Sequence, residues 1–347
     1  MEPDDRPATL VLTRRDVARL CTPALALDAV REGFRALGEG RAWAPAPLHL
    51  ALTHGGFHAK AAALAGAPGV AALKWNANFP ANPARHGLPT IQGALLLCDA
   101  DDGRLLAVMD SIEITRRRTA AASALAATLL ARPGARVMAL CGCGAQALPQ
   151  FEALAGVLPL RELRLWDVDA AAARRCAAAL AGWPSLVVRV ASGVEDAVRG
   201  ADVIVTCSTA REAFLAREFV APGTFVAAVG ADHPDKHELA PALMAAACVV
   251  TDSTAQCLAM GELHHAVEAG AMGAAQVHAE LAELVTGRRA GRADAQAVCV
   301  FDSTGVAVQD VALADALLRA ARTERIGQAI DLGAAPAVHV TRNWRIE

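Results

Sequence analysis

The chain has 347 residues, 54% of them apolar and 20% charged, which is more than one ordinary core needs and suits two well-buried domains rather than a disordered protein. A net charge of −3 without a long basic run speaks against a nucleic-acid partner, and no apolar stretch has the length of a membrane span. The acidic start Met1-Glu-Pro-Asp-Asp-Arg6 lacks the apolar segment of a secretory signal. The nine cysteines fall mostly in apolar segments (Cys98, Cys176, Cys207, Cys248, Cys299), so a cytoplasmic protein is expected.

Taken in order, Thr9 to Thr13 reads as a short strand, followed by helix to Gly38 and Gly40. Leu48 to Leu64 is strand-like, with Gly55-Gly56 as the expected turn and Phe57-His58-Ala59-Lys60 alternating after it. Val70 to Phe79 is an apolar strand interrupted by Lys74, whose apolar neighbours mark it as a functional candidate rather than a solvated lysine. Gly87-Leu-Pro89 closes a loop, Thr90 to Cys98 returns as a strand, and Asp99 to Gly103 turns into Arg104 to Met109, giving a largely antiparallel first domain. Thr115 is the predicted cap of an alanine-rich helix over 116–131, stopped by Pro133-Gly134. Arg116, Arg117 and Arg118 would then occupy its first turn, where each cation costs a few tenths of a kcal/mol against the helix dipole. A site that binds a substrate carboxylate would explain them.

Val137 to Leu140 reads as a buried parallel strand running into Gly142-Cys-Gly144-Ala145-Gln146-Ala147. Gly142 permits the tight turn, Gly144 lets a pyrophosphate approach the main chain, and Ala147 lets the next helix pack closely, with its N-terminus toward the phosphates. Cys141 and Cys143 alternate with these glycines and belong to the turn rather than to a metal site. The next strand ends in Asp167, roughly 25 positions beyond Gly142, where a carboxylate accepts the ribose hydroxyls of NAD and disfavours the 2′-phosphate of NADP. Arg174 and Arg175 on the following helix keep NADP open. Strands and helices then alternate: strands at 185–190, 201–207, 225–230, 248–252 and 297–301, with a helix over 193–199 and another through Gln256, Glu262 and His264-His265. The helix from Val306 should lead the C-terminal tail back to the first domain. The fold class is α/β, a Rossmann-type doubly wound sheet plus a smaller α/β domain.

His233-x-x-x-His237-Glu238 imitates a metal pair, but Pro234 lies between the histidines and no third ligand is evident, so no metal is expected. Asp232, at a strand end beside the expected nicotinamide, can serve in proton transfer or cap a following helix.

Lys74, Gly87-Leu-Pro-Thr90, Thr115-x-x-Arg118-Thr-Ala-Ala, Gly142-x-Gly144-Ala145-Gln146, Gly230-Ala-Asp232-x-Pro-x-Lys236-x-Glu238 and Phe301-Asp-Ser-x-Gly305 together resemble the ornithine cyclodeaminase/mu-crystallin family, from about residue 70 to 312. The resemblance implies a substrate-binding and dimerisation domain from 1–118 with 315–347, a Rossmann domain over 119–314, and a homodimer. It implies NAD contacts from Thr90, Gly142, Gly144, Ala145, Gln146, Asp167, Thr209, Val229, Lys236 and Ser303. Lys74 and Arg118 would hold the substrate carboxylate, and Asp232, with Lys74, would be catalytic. His58, Lys60 and Thr304 complete the expected substrate site. The cyclodeaminases proper have an arginine upstream of the lysine and a glutamate for the side-chain amine of ornithine. Here no arginine lies between Arg41 and Lys74, the first region reads Ala-Pro-Leu-His49, and His58 stands at the glutamate's place. The departures favour an NAD(P)-dependent reductase acting on a small imine, such as the ketimine pyrroline-2-carboxylate, or its amino acid. Ornithine cyclodeaminase is the alternative, and a non-catalytic dinucleotide-loaded binding protein is the reading of another class.

Overall fold

The computed structural model describes residues 8–332, and the tail beyond lies outside the described residues. Two eight-stranded sheets form the molecule. The first runs Gln328–Ile330, Thr9–Leu12, Leu105–Asp110, Ile91–Asp99, Val70–Asn78 and Gly55–Leu64, with Ala42–Trp43 and Leu48–Leu52 both pairing with the last of these. All its pairs are antiparallel except Thr9–Leu12 with Leu105–Asp110. The expected hairpin turn is displaced: Thr53 and His54 form it, and Gly55 and Gly56 open the return strand. Their glycine character answers close strand packing, since a Cβ on Gly55 would lie 2.4 Å from the Asn78 carbonyl oxygen and one on Gly56 2.9 Å from that of Leu50.

The second sheet is parallel throughout, in the order Val187–Val190, Glu162–Trp166, Val137–Cys141, Val203–Thr206, Phe225–Ala228, Cys299–Asp302, Cys248–Thr251, Ala279–Glu280. Its central strands are buried along their whole length and apolar except for Thr206 and Asp302 at carboxyl ends, as a sheet covered on both faces requires. The strand order reverses direction between Val137–Cys141 and Val203–Thr206, so a crevice opens beyond their carboxyl ends. The α/β doubly wound class is what the structure has.

Two long helices join the sheets. The first spans Ser111–Leu130, and its small buried side chains, Ala120 to Ala127 among them, let it pack closely against neighbouring helices and strands. It starts a turn earlier than predicted because Asp110 caps it, accepting from the Glu113 N–H, so Thr115 is not the cap. Arg116 to Arg118 therefore lie in the second turn, and the argument from the helix dipole falls away. Arg116 and Arg117 each meet the Glu113 carboxylate at 2.8 Å, and Arg117 also meets Glu152 at 2.7 Å. The second helix, Ala307–Glu324, lies on the first sheet and on the helix Pro23–Gly38. The chain then pairs Gln328–Ile330 with Thr9–Leu12 of the first sheet.

Candidate active site

A cleft of about 810 Å³ opens at the strand-order reversal. Gly142 has φ +106°, and a Cβ there would lie 2.8 Å from the Cys207 carbonyl carbon, so the turn admits glycine alone. The Cβ side of Gly144 is open space. Asp167 braces this turn: its Oδ2 accepts from the Cys143 N–H at 2.7 Å and its Oδ1 from the Asp169 N–H at 2.8 Å. Thr90, Gly142, Gly144, Ala145, Gln146, Asp167, Thr209, Val229, Lys236 and Ser303 all line the cleft.

Arg118, Thr304 and Asp232 line the same cleft, and Lys74, Lys60 and His58 stand behind its wall. Arg118 and Lys74 are buried and share one carboxylate: Asp310 Oδ2 lies 2.7 Å from Lys74 Nζ, and Asp310 Oδ1 lies 3.2 Å from Arg118 Nε. Arg118 Nη1 also donates to Gln309 Oε1 at 2.9 Å. Gly305, at φ +81°, leaves room for the guanidinium, since a Cβ would lie 2.4 Å from Nη1. Gln309 Nε2 is buried without a hydrogen-bond partner, a donor left over in a place where such atoms are normally satisfied.

Burial drives the Lys74 ammonium down to about 7, Arg118 and Lys60 adding repulsion against the attraction of Asp310. Burial works against the Asp310 carboxylate, but Lys74 and Arg118 outweigh it and hold the group below its ordinary value. Lys60 is lowered by burial and by Arg118, and its Nζ donates to the Gly305 and Thr304 carbonyls at 2.6 and 3.3 Å. Asp310 and Gln309 escaped the sequence reading. Their signal is a polar pair in the first turn of an otherwise apolar helix, directly after Asp302-Ser-Thr-Gly305.

Asp232 sits in an irregular segment with no helix to cap, because Pro234 interrupts it. Its Oδ1 pairs with Lys236 Nζ at 2.5 Å. Burial raises its pKa, but Lys236, Lys60 and Arg118 prevail and keep it ionised below the usual carboxylate range. The two histidines of the metal-like motif diverge: the His237 ring stacks on His265 at 4.0 Å, whereas His233 faces Asp235 and His49. Among the described residues, only His264, His265 and Glu268 bring potential ligand atoms within 4.8 Å of one another. There, His265 Nε2 already meets the Lys236 carbonyl and His264 Nδ1 that of Leu258. His58 lies opposite His49 on the neighbouring strand, the rings stacked 4.3 Å apart.

Beneath the cleft runs a chain of fully buried carboxylates. Glu238 accepts from the Ser208 and Gly230 N–H groups, Glu262 from those of Glu238 and Leu239, and Asp302 from those of Glu262 and Leu263. Asp252 accepts from the Gly305 N–H and the Ser303 and Thr304 hydroxyls. Burial lifts Asp302 to about 7 and raises Glu238 and Glu262 as well. These acids fix the loops that carry Asp232, Ser303 and Thr304.

The sequence matches the ornithine cyclodeaminase/mu-crystallin family over residues 8–324. The chain belongs to this family. An alanine dehydrogenase of Archaeoglobus fulgidus is 36% identical over 322 residues, covering 93% of this chain and 98% of the relative. An iminosuccinate reductase of Paracoccus denitrificans is 34% identical over 334 residues, covering 93% and 100%. The solved structure of Thermococcus litoralis Δ1-pyrroline-2-carboxylate reductase, in complex with NADH and L-proline, superposes with a TM-score of 0.89 at 26% identity, covering 93% and 100%. Membership of the ornithine cyclodeaminase/mu-crystallin family thus spans both sheets, not the parallel sheet alone.

Proposed function

We propose that this family member is an NAD(P)-dependent oxidoreductase, using NAD, that interconverts a small imine such as pyrroline-2-carboxylate and its amino acid. The reading is carried by one observation: Arg118 and Asp232 line the cleft that Gly142, Gly144 and Asp167 line. The residues present fit a dinucleotide, since Gly142 has no room for a Cβ while Gly144 leaves the main chain open. Thr90, Ala145, Gln146, Thr209, Val229, Lys236 and Ser303 would complete its seat. Asp167 favours NAD, and Arg175, which could favour NADP, is turned to Asp169 at 3.2 Å. When bound, the nicotinamide supplies or takes up the hydride.

The chain's own residues do the rest. Arg118 and Lys74, held side by side by Asp310, orient the substrate carboxylate. Asp232, ionised beside Lys236, takes a proton from the substrate nitrogen during oxidation and returns it during reduction. A cyclodeaminase would need a carboxylate for the ornithine side-chain amine, and His58 offers none. We further assign residues 1–118 with 315–347 to the substrate and dimerisation domain, and 119–314 to the dinucleotide domain. The outer face of the antiparallel sheet exposes Leu48, Leu50, Leu73, Trp75 and Leu96, a patch suited to a homodimer that light scattering would detect. The free thiols suit the reducing cytoplasm.

The test supplies purified protein with NADH and pyrroline-2-carboxylate and, separately, with ornithine and NAD. Consumption of NADH with the imine is the expected result. Proline and ammonia from ornithine without net cofactor change would overturn it in favour of the cyclodeaminase. Silence with every imine and amino acid tried would favour a binding protein.

A further inference from the structure

From Gly40 to Cys98 the sequence contains no aspartate or glutamate, although it carries Arg41, His49, His54, His58, Lys60, Lys74, Arg85 and His86. This segment supplies the sheet face behind the cleft. His49, His58 and Asn76 stand directly opposite one another on adjacent strands, and Lys60 opposite Lys74 forms the next row of the same face. The His233 ring closes the group from the other side, 6.3 Å from His49 and next in sequence to Asp232.

The carboxylates bordering this space are all engaged. Asp310 is taken by Lys74 and Arg118, Asp232 by Lys236, and Asp252 by Gly305, Ser303 and Thr304. A second, side-chain ammonium on the substrate would enter a space walled by imidazoles and Lys60 with no free anion among the described residues, a costly placement. A single substrate carboxylate would neutralise one charge, while of the three cations Arg118, Lys74 and Lys60 the first two share the one carboxylate of Asp310 and Lys60 is bonded only to main-chain carbonyls. From this face we propose that the substrate carries a second carboxylate on a short side chain, received by His49 and His58 beside Lys60 while Arg118 and Lys74 hold the first.

Burial, His49 and Lys60 hold the His58 imidazole below its ordinary pKa, with Asp232 acting in the opposite sense and His233 adding to the lowering. His58 therefore meets the anion as a neutral donor, or is protonated by its arrival. The inference rests on the oxidoreductase reading above, and its tests separate the two. L-aspartate, L-alanine and L-2,4-diaminobutyrate are compared by kcat/KM with NAD. Aspartate should lead by on the order of tenfold to a hundredfold, the range of one charge-assisted contact. That aspartate-to-alanine ratio should fall about tenfold or more in His58→Ala and in His49→Ala. Alanine or diaminobutyrate matching aspartate, with activity present, overturns this inference and leaves the functional reading standing. Calorimetry on the NAD-saturated protein compares succinate with butyrate. Succinate binding no tighter than butyrate overturns the inference whether or not turnover occurs. Tighter succinate binding that His58→Ala abolishes, without hydride transfer to any imine, supports the inference and removes the functional reading instead.

Discussion

On the parallel-sheet side of the cleft the surface offered to a ligand is largely main chain: the open flank of Gly144, the turn braced by Asp167, and loops pinned by buried acids that accept backbone N–H groups. On the antiparallel-sheet side it is buried charge, three cations arranged around Asp310 and backed by stacked histidines. The first wall tolerates side-chain change except where a Cβ has no room. The second depends on each partner for the state of the others, because removing one member of a buried ion set leaves a charge uncompensated.

The largest effect should come where the two walls meet. Asp232→Asn removes the proposed proton acceptor while preserving shape, and kcat should fall by about 10²- to 10⁴-fold, the usual worth of general acid–base catalysis. NADH affinity, read by fluorescence titration, should change little. Full turnover in the variant would show that proton transfer uses another group.

Asp310→Asn probes the charged wall. With the shared carboxylate gone, Arg118 cannot lose its proton, and the cost should be about 3–5 kcal/mol of unfolding free energy by denaturant titration. Asp167→Asn, on the main-chain wall, gives up one of two accepted N–H bonds and should cost about 1–2 kcal/mol, less than Asp310→Asn, while narrowing the preference for NADH over NADPH. Equal losses in the two variants would erase the distinction between the walls.

That distinction also explains which features were legible in advance. The glycine turn and Asp167 follow from spacing along one stretch of chain, and Lys74 and Asp232 stand out as charges in apolar or strand-end settings, whereas only the family resemblance separates Arg118 from Arg116 and Arg117. Asp310 could not be paired with Lys74 from sequence, because the two are 236 positions apart and meet only through the packing of the Ala307–Glu324 helix on the first sheet. The start of the Ser111–Leu130 helix was misplaced for a local reason: Asp110 ends a strand and caps the helix at once, so no loop separates them. Lys60 is expected in the substrate site, and its present partners are the Thr304 and Gly305 carbonyls, which leave no side-chain trace in the sequence. The buried acids were invisible as a set, since each is tied to main chain from a different loop.

The smallest predicted effect is a pH dependence confined to the charged wall. Lys74 has an ordinary pKa of 10.5 and is brought down to about 7 in the folded site, chiefly by burial. Below about 7 it is a cation ready for a carboxylate, and above that it must regain a proton as the ligand binds. The dissociation constant of a carboxylate ligand should therefore rise with pH from about 7 upward, by several-fold per unit and no more than tenfold. The folded state also binds fewer protons than the unfolded chain between about 7 and 10.5, so this residue makes stability increase with pH across that window. Lys74→Arg tests both, because a guanidinium keeps its charge throughout. Calorimetric titration of the variant should give a flatter pH profile of carboxylate affinity, with cofactor affinity unmoved. An unaltered slope in Lys74→Arg would show that the dependence does not arise from Lys74.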